Sequence, residues 1–268
     1  MNLTSNEIEA AARSLHDAER NRKQIKSISL SYPQMDIEDA YAVQQAWVDM
    51  KVANGASILG RKIGLTSRAM QQSMQIDEPD FGTLLDDMLF DDGADIEAAA
   101  FTDPRVEVEL AFVLAEDLRG DNLTITDVLN ATDHVIPAIE LIAARTHRID
   151  PDTGKARGVL DTISDNAANA GIVLGGRPIR PDDADLRWVG ALLHKNGVIE
   201  ESGVSAAVLN HPANGVLWLA RRFAAHGIFL RAGEVILSGS FTRPVAVAAG
   251  DVIQVDFGDL GTLVSRFV

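Results

Sequence analysis

Apolar residues recur at helical spacing twice near the start of the chain. From Asn6 to about Ile25, the residues Ile8, Ala11, Ala12, Leu15 and Ala18 share one face among charges, and Ile37, Ala40, Val43, Ala46 and Trp47 do the same from Asp36 to Val52. Two amphipathic helices are predicted. Asp36 is placed to cap the second, and Ser31-Tyr32-Pro33 breaks the chain between them. No strand pattern precedes Ile58, so residues 1–56 read as a small helical lead-in to a domain spanning 57–268.

Beyond Gly60 the pattern changes to short β-rich runs punctuated by Gly, Pro and Asp. Helices are expected only near Thr126–Asp133 and Pro212–His226, the latter with Pro212 in its first turn and Gly227 just past its end. Leu186–His194 and Val198–Glu201 flank Lys195-Asn196-Gly197, a strong signal for a tight hairpin. Glu234–Leu237, Val252–Phe257 and Gly261–Phe267 are further strands. Helices early and strands late favour an α+β fold over a doubly wound sheet.

The run Arg105-Val106-Glu107-Val108-Glu109-Leu110-Ala111-Phe112-Val113-Leu114 alternates strictly. Val106, Val108, Leu110 and Phe112 take one face of a strand, so Glu107 and Glu109 point together from the other, about 6.8 Å apart along the backbone. Two carboxylates so placed need a cation, a shared proton or open water. A solvated edge strand would supply the water; the apolar neighbours Ala111, Val113 and Leu114 argue for burial instead. Glu140 is the lone charge in Val135-Ile136-Pro137-Ala138-Ile139-Glu140-Leu141-Ile142, and an acid in such a run needs a partner. Three carboxylates make a hard oxygen ligand set suited to Mg²⁺ or Mn²⁺, whereas zinc would recruit His or Cys. The six histidines show no metal-ligand spacing.

Lys62 lies between glycines in Gly60-Arg61-Lys62-Ile63-Gly64-Leu65-Thr66, where a ligand or backbone can approach closely. It could hold a carboxylate, exchange a proton, or stand on the surface of a short strand. Ser164-Asp165-Asn166-Ala167-Ala168-Asn169-Ala170-Gly171 is a small polar run able to line a pocket or form an ordinary loop. The nucleotide-binding, nucleophile-elbow and zinc-protease motifs are absent from the sequence.

The balance of 24 basic against 39 acidic residues gives a net charge of −15, which opposes binding to nucleic acid or anionic lipid. Without cysteine there is no disulfide, thiolate metal site or cysteine nucleophile. Apolar runs fall far short of the roughly 20 residues of a membrane span, and the acidic N-terminus is unlike a signal peptide, so a cytoplasmic, membrane-free protein is expected.

The segments Gly60–Thr66, Glu78-Pro79-Asp80-Phe81-Gly82, Arg105–Glu109, Pro137–Glu140 and Ser164–Ala168 together resemble the hydratase and decarboxylase branch of the fumarylacetoacetate hydrolase superfamily. The likeness covers nearly the whole chain. It implies a mixed β-roll catalytic domain behind the helical lead-in, in a homo-oligomer built from pentamers. It also implies that Glu107, Glu109 and Glu140 hold Mg²⁺ or Mn²⁺, that Lys62 and Asp80 are catalytic, and that Ser164 lies in a motif lining the site.

Within the branch, Asp161-Thr162-Ile163-Ser164-Asp165-Asn166 and Gly239-Ser240-Phe241-Thr242-Arg243-Pro244 resemble members that act on a seven-carbon diacid. The implied reaction is hydration of 2-oxohept-4-ene-1,7-dioate, or its dienol tautomer. Hydration of 2-oxopent-4-enoate, decarboxylation of 2-oxo-3-hexenedioate, and a silent role as assembly partner of a pathway decarboxylase are the alternatives. A seven-carbon substrate brings a second carboxylate that the metal cannot reach, and Arg243 is the expected clamp for it, with Arg145, Arg148 and Arg157 as competitors.

Overall fold

The computed structural model describes residues 1–268, apart from the Ser73 side chain. Its helices are α1 (Ser5–Arg20), α2 (Ile28–Ser31), α3 (Ile37–Ala53), α4 (Arg68–Met74), α5 (Ile125–Ala131), α6 (Val159–Ser164) and α7 (Ala213–Ala224). The first strands are β1 (Ile58–Gly64), β2 (Asp80–Leu85), β3 (Leu89–Asp91), β4 (Asp95–Ile96), β5 (Pro104–Leu114), β6 (Thr132–Ala143) and β7 (Asn169–Leu174). They are followed by β8 (Gly190–Lys195), β9 (Val198–Val204), β10 (Val235–Leu237), β11 (Val245–Ala246), β12 (Val252–Asp256) and β13 (Thr262–Phe267).

An eight-stranded mixed sheet runs β2-β1-β10-β5-β6-β7-β3, with β11 joined to β5, and a five-stranded sheet runs β4-β13-β12-β8-β9. The two faces of the long strand β5 have different fates. Val106, Val108, Leu110 and Phe112 enter a core shared with Leu193, Ile253, Val255 and Leu263 of the second sheet and with Val216 and Leu219 of α7. The opposite face continues as Ala111, with Ala138 and Leu237 beside it, under Ala11, Leu15, Val43 and Trp47 of α1 and α3. The helical lead-in therefore shares a core with the sheet it precedes. Glu107, Glu109 and Glu140 stand on this helix-facing side.

Local chemistry explains most element ends. Thr4 with Glu7, and Asp36 with Asp39, form capping boxes that start α1 and α3. The expected extension of the first helix to Ile25 stops at Arg20, because Arg22 turns left-handed (φ 52°) and Ile25 donates instead to the Arg145 carbonyl. Asn196 and Gly197 both adopt positive φ, and Lys195 pairs with Val198, so the expected hairpin forms. Helices α2, α4 and α6 have only four, seven and six residues. They are too short for an apolar period to show.

Trp47 is 1% exposed and carries the Arg145 guanidinium 4.8 Å from its ring centroid. Replacing it by alanine should cost about 3–5 kcal/mol, measured by urea unfolding. A loss below about 1 kcal/mol would show that the helical layer contributes little to the common core.

Candidate active site

Antiparallel pairing sets Glu107 of β5 directly opposite Glu140 of β6, and Glu109 lies two residues along the same face. One oxygen from each lies within 4.8 Å of the others. Glu109 and Glu140 are buried, and Glu107 is half-buried. The Gly239 amide donates to Glu109 Oε2 at 2.8 Å, and Asn169 Nδ2 donates to Glu140 Oε1 at 2.8 Å. Lys62 Nζ is 3.2 Å from the same Glu140 oxygen. Among the described residues, Glu140 Oε2 is buried without a hydrogen-bond partner.

Lys62 comes from β1, whose antiparallel neighbour β2 begins at Asp80; Gly64 pairs with Asp80 and Lys62 with Gly82. A Cβ on Gly64 would stand 2.2 Å from Asp80 Oδ1 and 3.3 Å from Lys62 Nζ, so only glycine lets the carboxylate fold over this strand. Asp80 is 1% exposed, and among the described residues neither of its oxygens has a hydrogen-bond partner. Burial raises its pKa, against the opposing pull of Lys62. Burial alone would push Lys62 down, but Glu140, Asp80, Glu107 and Glu109 together raise it, which keeps the ammonium charged. Burial, reinforced by Glu140, also raises Glu109 well above the usual carboxylate range.

Two backbone devices hold the acids in place. Gly239 has φ 119°, and a Cβ there would lie 2.5 Å from Thr66; beside it, Val108 donates to Thr242 Oγ1 and accepts from Ser240 Oγ, both at 3.2 Å. The loop is thus clasped to β5 next to Glu109. On the other side Asn166, Ala167 and Ala168 are all left-handed, at φ 52°, 49° and 60°. Such strain persists only where the surroundings over-determine it. Asn166 accepts from the Thr83 amide at 2.7 Å and donates to its carbonyl at 2.9 Å, while Arg145 Nη1 donates to Asp165 Oδ1 at 2.9 Å.

A cavity of about 570 Å³ opens over these groups, walled by Lys62, Asp80, Glu107 and Glu109 and, across from them in sequence, by Arg148 and Arg157. Arg243 also borders it, but its side chain is 83% exposed and paired with Glu201 Oε1 at 2.7 Å. Arg243 thus stands at the cavity border with its guanidinium in water and Glu201 as its carboxylate partner. Ser164 ends α6, fully buried with its hydroxyl unpartnered, and is not on the cavity wall. Asn169, which orients Glu140, lies in the polar run but was masked there by equally polar neighbours.

The three acids fit a divalent cation: every donor is a carboxylate oxygen, and a buried Glu140 oxygen lacks a partner. Among the described residues no helix is long and apolar enough to cross a membrane.

The family model for the C-terminal region of fumarylacetoacetate hydrolase matches residues 51–268. The chain is 62% identical over 257 residues to 2-oxo-hept-4-ene-1,7-dioate hydratase of Escherichia coli, covering 96% of each chain. It is 40% identical over 265 residues to a 2-keto-4-pentenoate hydratase of Paraburkholderia xenovorans, covering 99% of this chain and 96% of that one. The structure of a Pseudomonas putida 4-oxalocrotonate decarboxylase complexed with magnesium and adipate superposes with a TM-score of 0.94 at 34% identity, over 100% of this chain and 99% of that one.

Burial and the neighbouring Glu140 raise the Glu107 carboxyl from 4.5 to about 7. A group raised on folding stabilises the native state below its unfolded pKa and loses that contribution as pH climbs through the folded value. Metal-free wild type should therefore lose stability relative to Glu107→Gln between pH 4.5 and about 7. Saturating Mg²⁺ should reverse the difference, since binding favours the ionised carboxylates. Thermal unfolding across this range checks it; parallel profiles for the two proteins would contradict it.

Proposed function

The chain belongs to the fumarylacetoacetate hydrolase family, and from this premise we infer that it is a divalent-metal-dependent hydro-lyase acting on 2-oxohept-4-ene-1,7-dioate or its dienol tautomer. The product is 4-hydroxy-2-oxoheptane-1,7-dioate. The observation that carries the reading is the trio of carboxylates within 4.8 Å of one another beside Lys62, with Glu107 and Glu109 lining an open cavity. The seven-carbon diacid is favoured over the five-carbon monoacid by 62% identity to the Escherichia coli hydratase against 40% to the pentenoate hydratase.

Glu107, Glu109 and Glu140 would hold Mg²⁺ or Mn²⁺, which when bound supplies a Lewis acid for charge developing on the 1-carboxylate and 2-oxo oxygens. Lys62, kept cationic by the four acids around it, anchors the substrate carboxylate at carbon 1. Asp80, buried with both oxygens free, moves the proton. It takes a proton from carbon 3 and returns it to carbon 5, which shifts the double bond from carbons 4 and 5 to carbons 3 and 4, conjugated with the ketone. Carbon 4 is then electrophilic. Water adds its oxygen there, a proton returns to carbon 3, and the net change is the addition of one water.

A silent assembly partner would have no use for the buried, unpartnered carboxylate oxygens of Asp80 and Glu140, each of which costs stability. Homo-oligomerisation on a pentameric base, within the cytoplasm, belongs to the same proposal. Leu192, Ile199 and Val252, exposed on the second sheet, are the surface that supports assembly.

Purified protein with Mg²⁺ should convert the diacid to its 4-hydroxy product, followed by NMR, and should use 2-oxopent-4-enoate less well. Chelation or Glu140→Gln should lower kcat/KM by about 10³-fold or more, and Lys62→Met should chiefly raise KM. Decarboxylation as the main outcome, or full activity after exhaustive chelation, would overturn the proposal.

A further inference from the structure

Besides Arg243, the cavity wall bears the guanidinium groups of Arg148 and Arg157, and each of these shares its carboxylate with a second arginine. Asp103 accepts a hydrogen bond from Arg148 Nε, and Arg105 Nη2 lies 3.8 Å from the same oxygen. Asp165 accepts from the Arg145 amide at 2.8 Å and from Arg145 Nη1 at 2.9 Å, leaving Arg157 Nη1 3.8 Å from its Oδ2. The group around Asp103 is therefore one negative charge short, and in the other Asp165 is already hydrogen-bonded to Arg145. Glu19, 3.8 Å from Arg145, adds its carboxylate at that residue and not at Arg157.

Arg157 is the more deprived of the two. Its side chain is only 10% exposed, and among the described residues its guanidinium donates no hydrogen bond; Nη1 is buried without a partner. A guanidinium has five donors, and one that has left water without acceptors favours an anion over an empty space. Arg148 keeps one hydrogen bond to Asp103, while its Nη2 is buried and unpaired. The two are tied together, since the Arg157 amide donates to the Arg148 carbonyl at 2.9 Å and Ile149 bridges Ala156. One short hairpin thus presents both to the cavity that holds Glu107 and Glu109.

We propose that Arg157, assisted by Arg148, is the clamp that binds the distal carboxylate of the substrate and so selects a dioate over a monoacid. The inference rests on the reading of the cavity as a 2-oxo-dioate site. The end anchored by Lys62 and the three acids cannot reach carbon 7. A planar, incompletely bonded fork on the same wall supplies the complementary charge. Arg243, at 83% exposure and with Glu201 as its partner, supplies neither the desolvation nor the free donors.

The test compares wild type, Arg157→Met, Arg157→Lys and Arg243→Leu on the seven-carbon diacid and on 2-oxopent-4-enoate, each with saturating Mg²⁺. Calorimetric binding of heptanedioate, a saturated diacid, gives a readout independent of turnover. Loss of a desolvated charged partner predicts a fall of about 100-fold in kcat/KM for the diacid, and a comparable loss of heptanedioate affinity, in Arg157→Met. The monoacid should change by less than about 5-fold. Arg157→Lys, which keeps the charge and loses the fork, should show a smaller diacid-only loss, so a Met variant that fails to fold leaves the test intact. Equal losses on both substrates in the Arg157 variants, or a diacid-selective loss in Arg243→Leu instead, would overturn the clamp while leaving the hydratase reading standing. Failure of wild type to hydrate the diacid would remove both.

Discussion

Like charges 4.8 Å apart repel by about 3 kcal/mol per pair at an effective dielectric near 20, and this chain brings three carboxylates to that spacing. Two of the three are buried, so water cannot relieve them. Lys62 offsets part of the repulsion through Glu140, and the Gly239 amide and Asn169 each satisfy one oxygen. The remainder calls for a divalent cation or for protons, and the raised pKa values of Glu107 and Glu109 express that competition. Metal binding and proton loss are thus one equilibrium at this site.

Much of the surrounding architecture keeps this unfavourable arrangement from relaxing. The register of β5 on β6 fixes two of the acids face to face, and the clasp of Ser240 and Thr242 on Val108 prevents β5 from shifting beside them. The left-handed run Asn166–Ala168 turns the chain from α6 into β7, where Asn169 meets Glu140. Helices α1 and α3 cover the sheet face beyond the acids, so the same surface is a packed core at one end and a reactive cavity at the other.

The alternation of β5 made the shared face of Glu107 and Glu109 legible in the sequence, and the isolation of Glu140 in an apolar run marked it as needing a partner. That the three meet depends on strand register, which no local pattern encodes. The same limit holds for Arg243: its place in a Gly-Ser-Phe-Thr-Arg-Pro turn was visible, but its pairing with Glu201, from a different strand, was not. Ser164 reads as a loop residue because α6 is a single short turn with no apolar period. Arg157 was one of three competing arginines that no local pattern could rank, since its significance lies in what Asp165 has already given to Arg145. The helices and hairpins were legible where caps and turn residues determine them; the site depends on contacts between distant segments.

The most direct measurement of the central claim is a crystal structure of the protein grown with Mn²⁺, with the ion located by its anomalous scattering. The account predicts one peak per chain, coordinated by an oxygen from each of Glu107, Glu109 and Glu140, and its disappearance in a Glu140→Gln crystal under the same conditions. A peak bound elsewhere, or an ion retained in the variant at full occupancy, would contradict it.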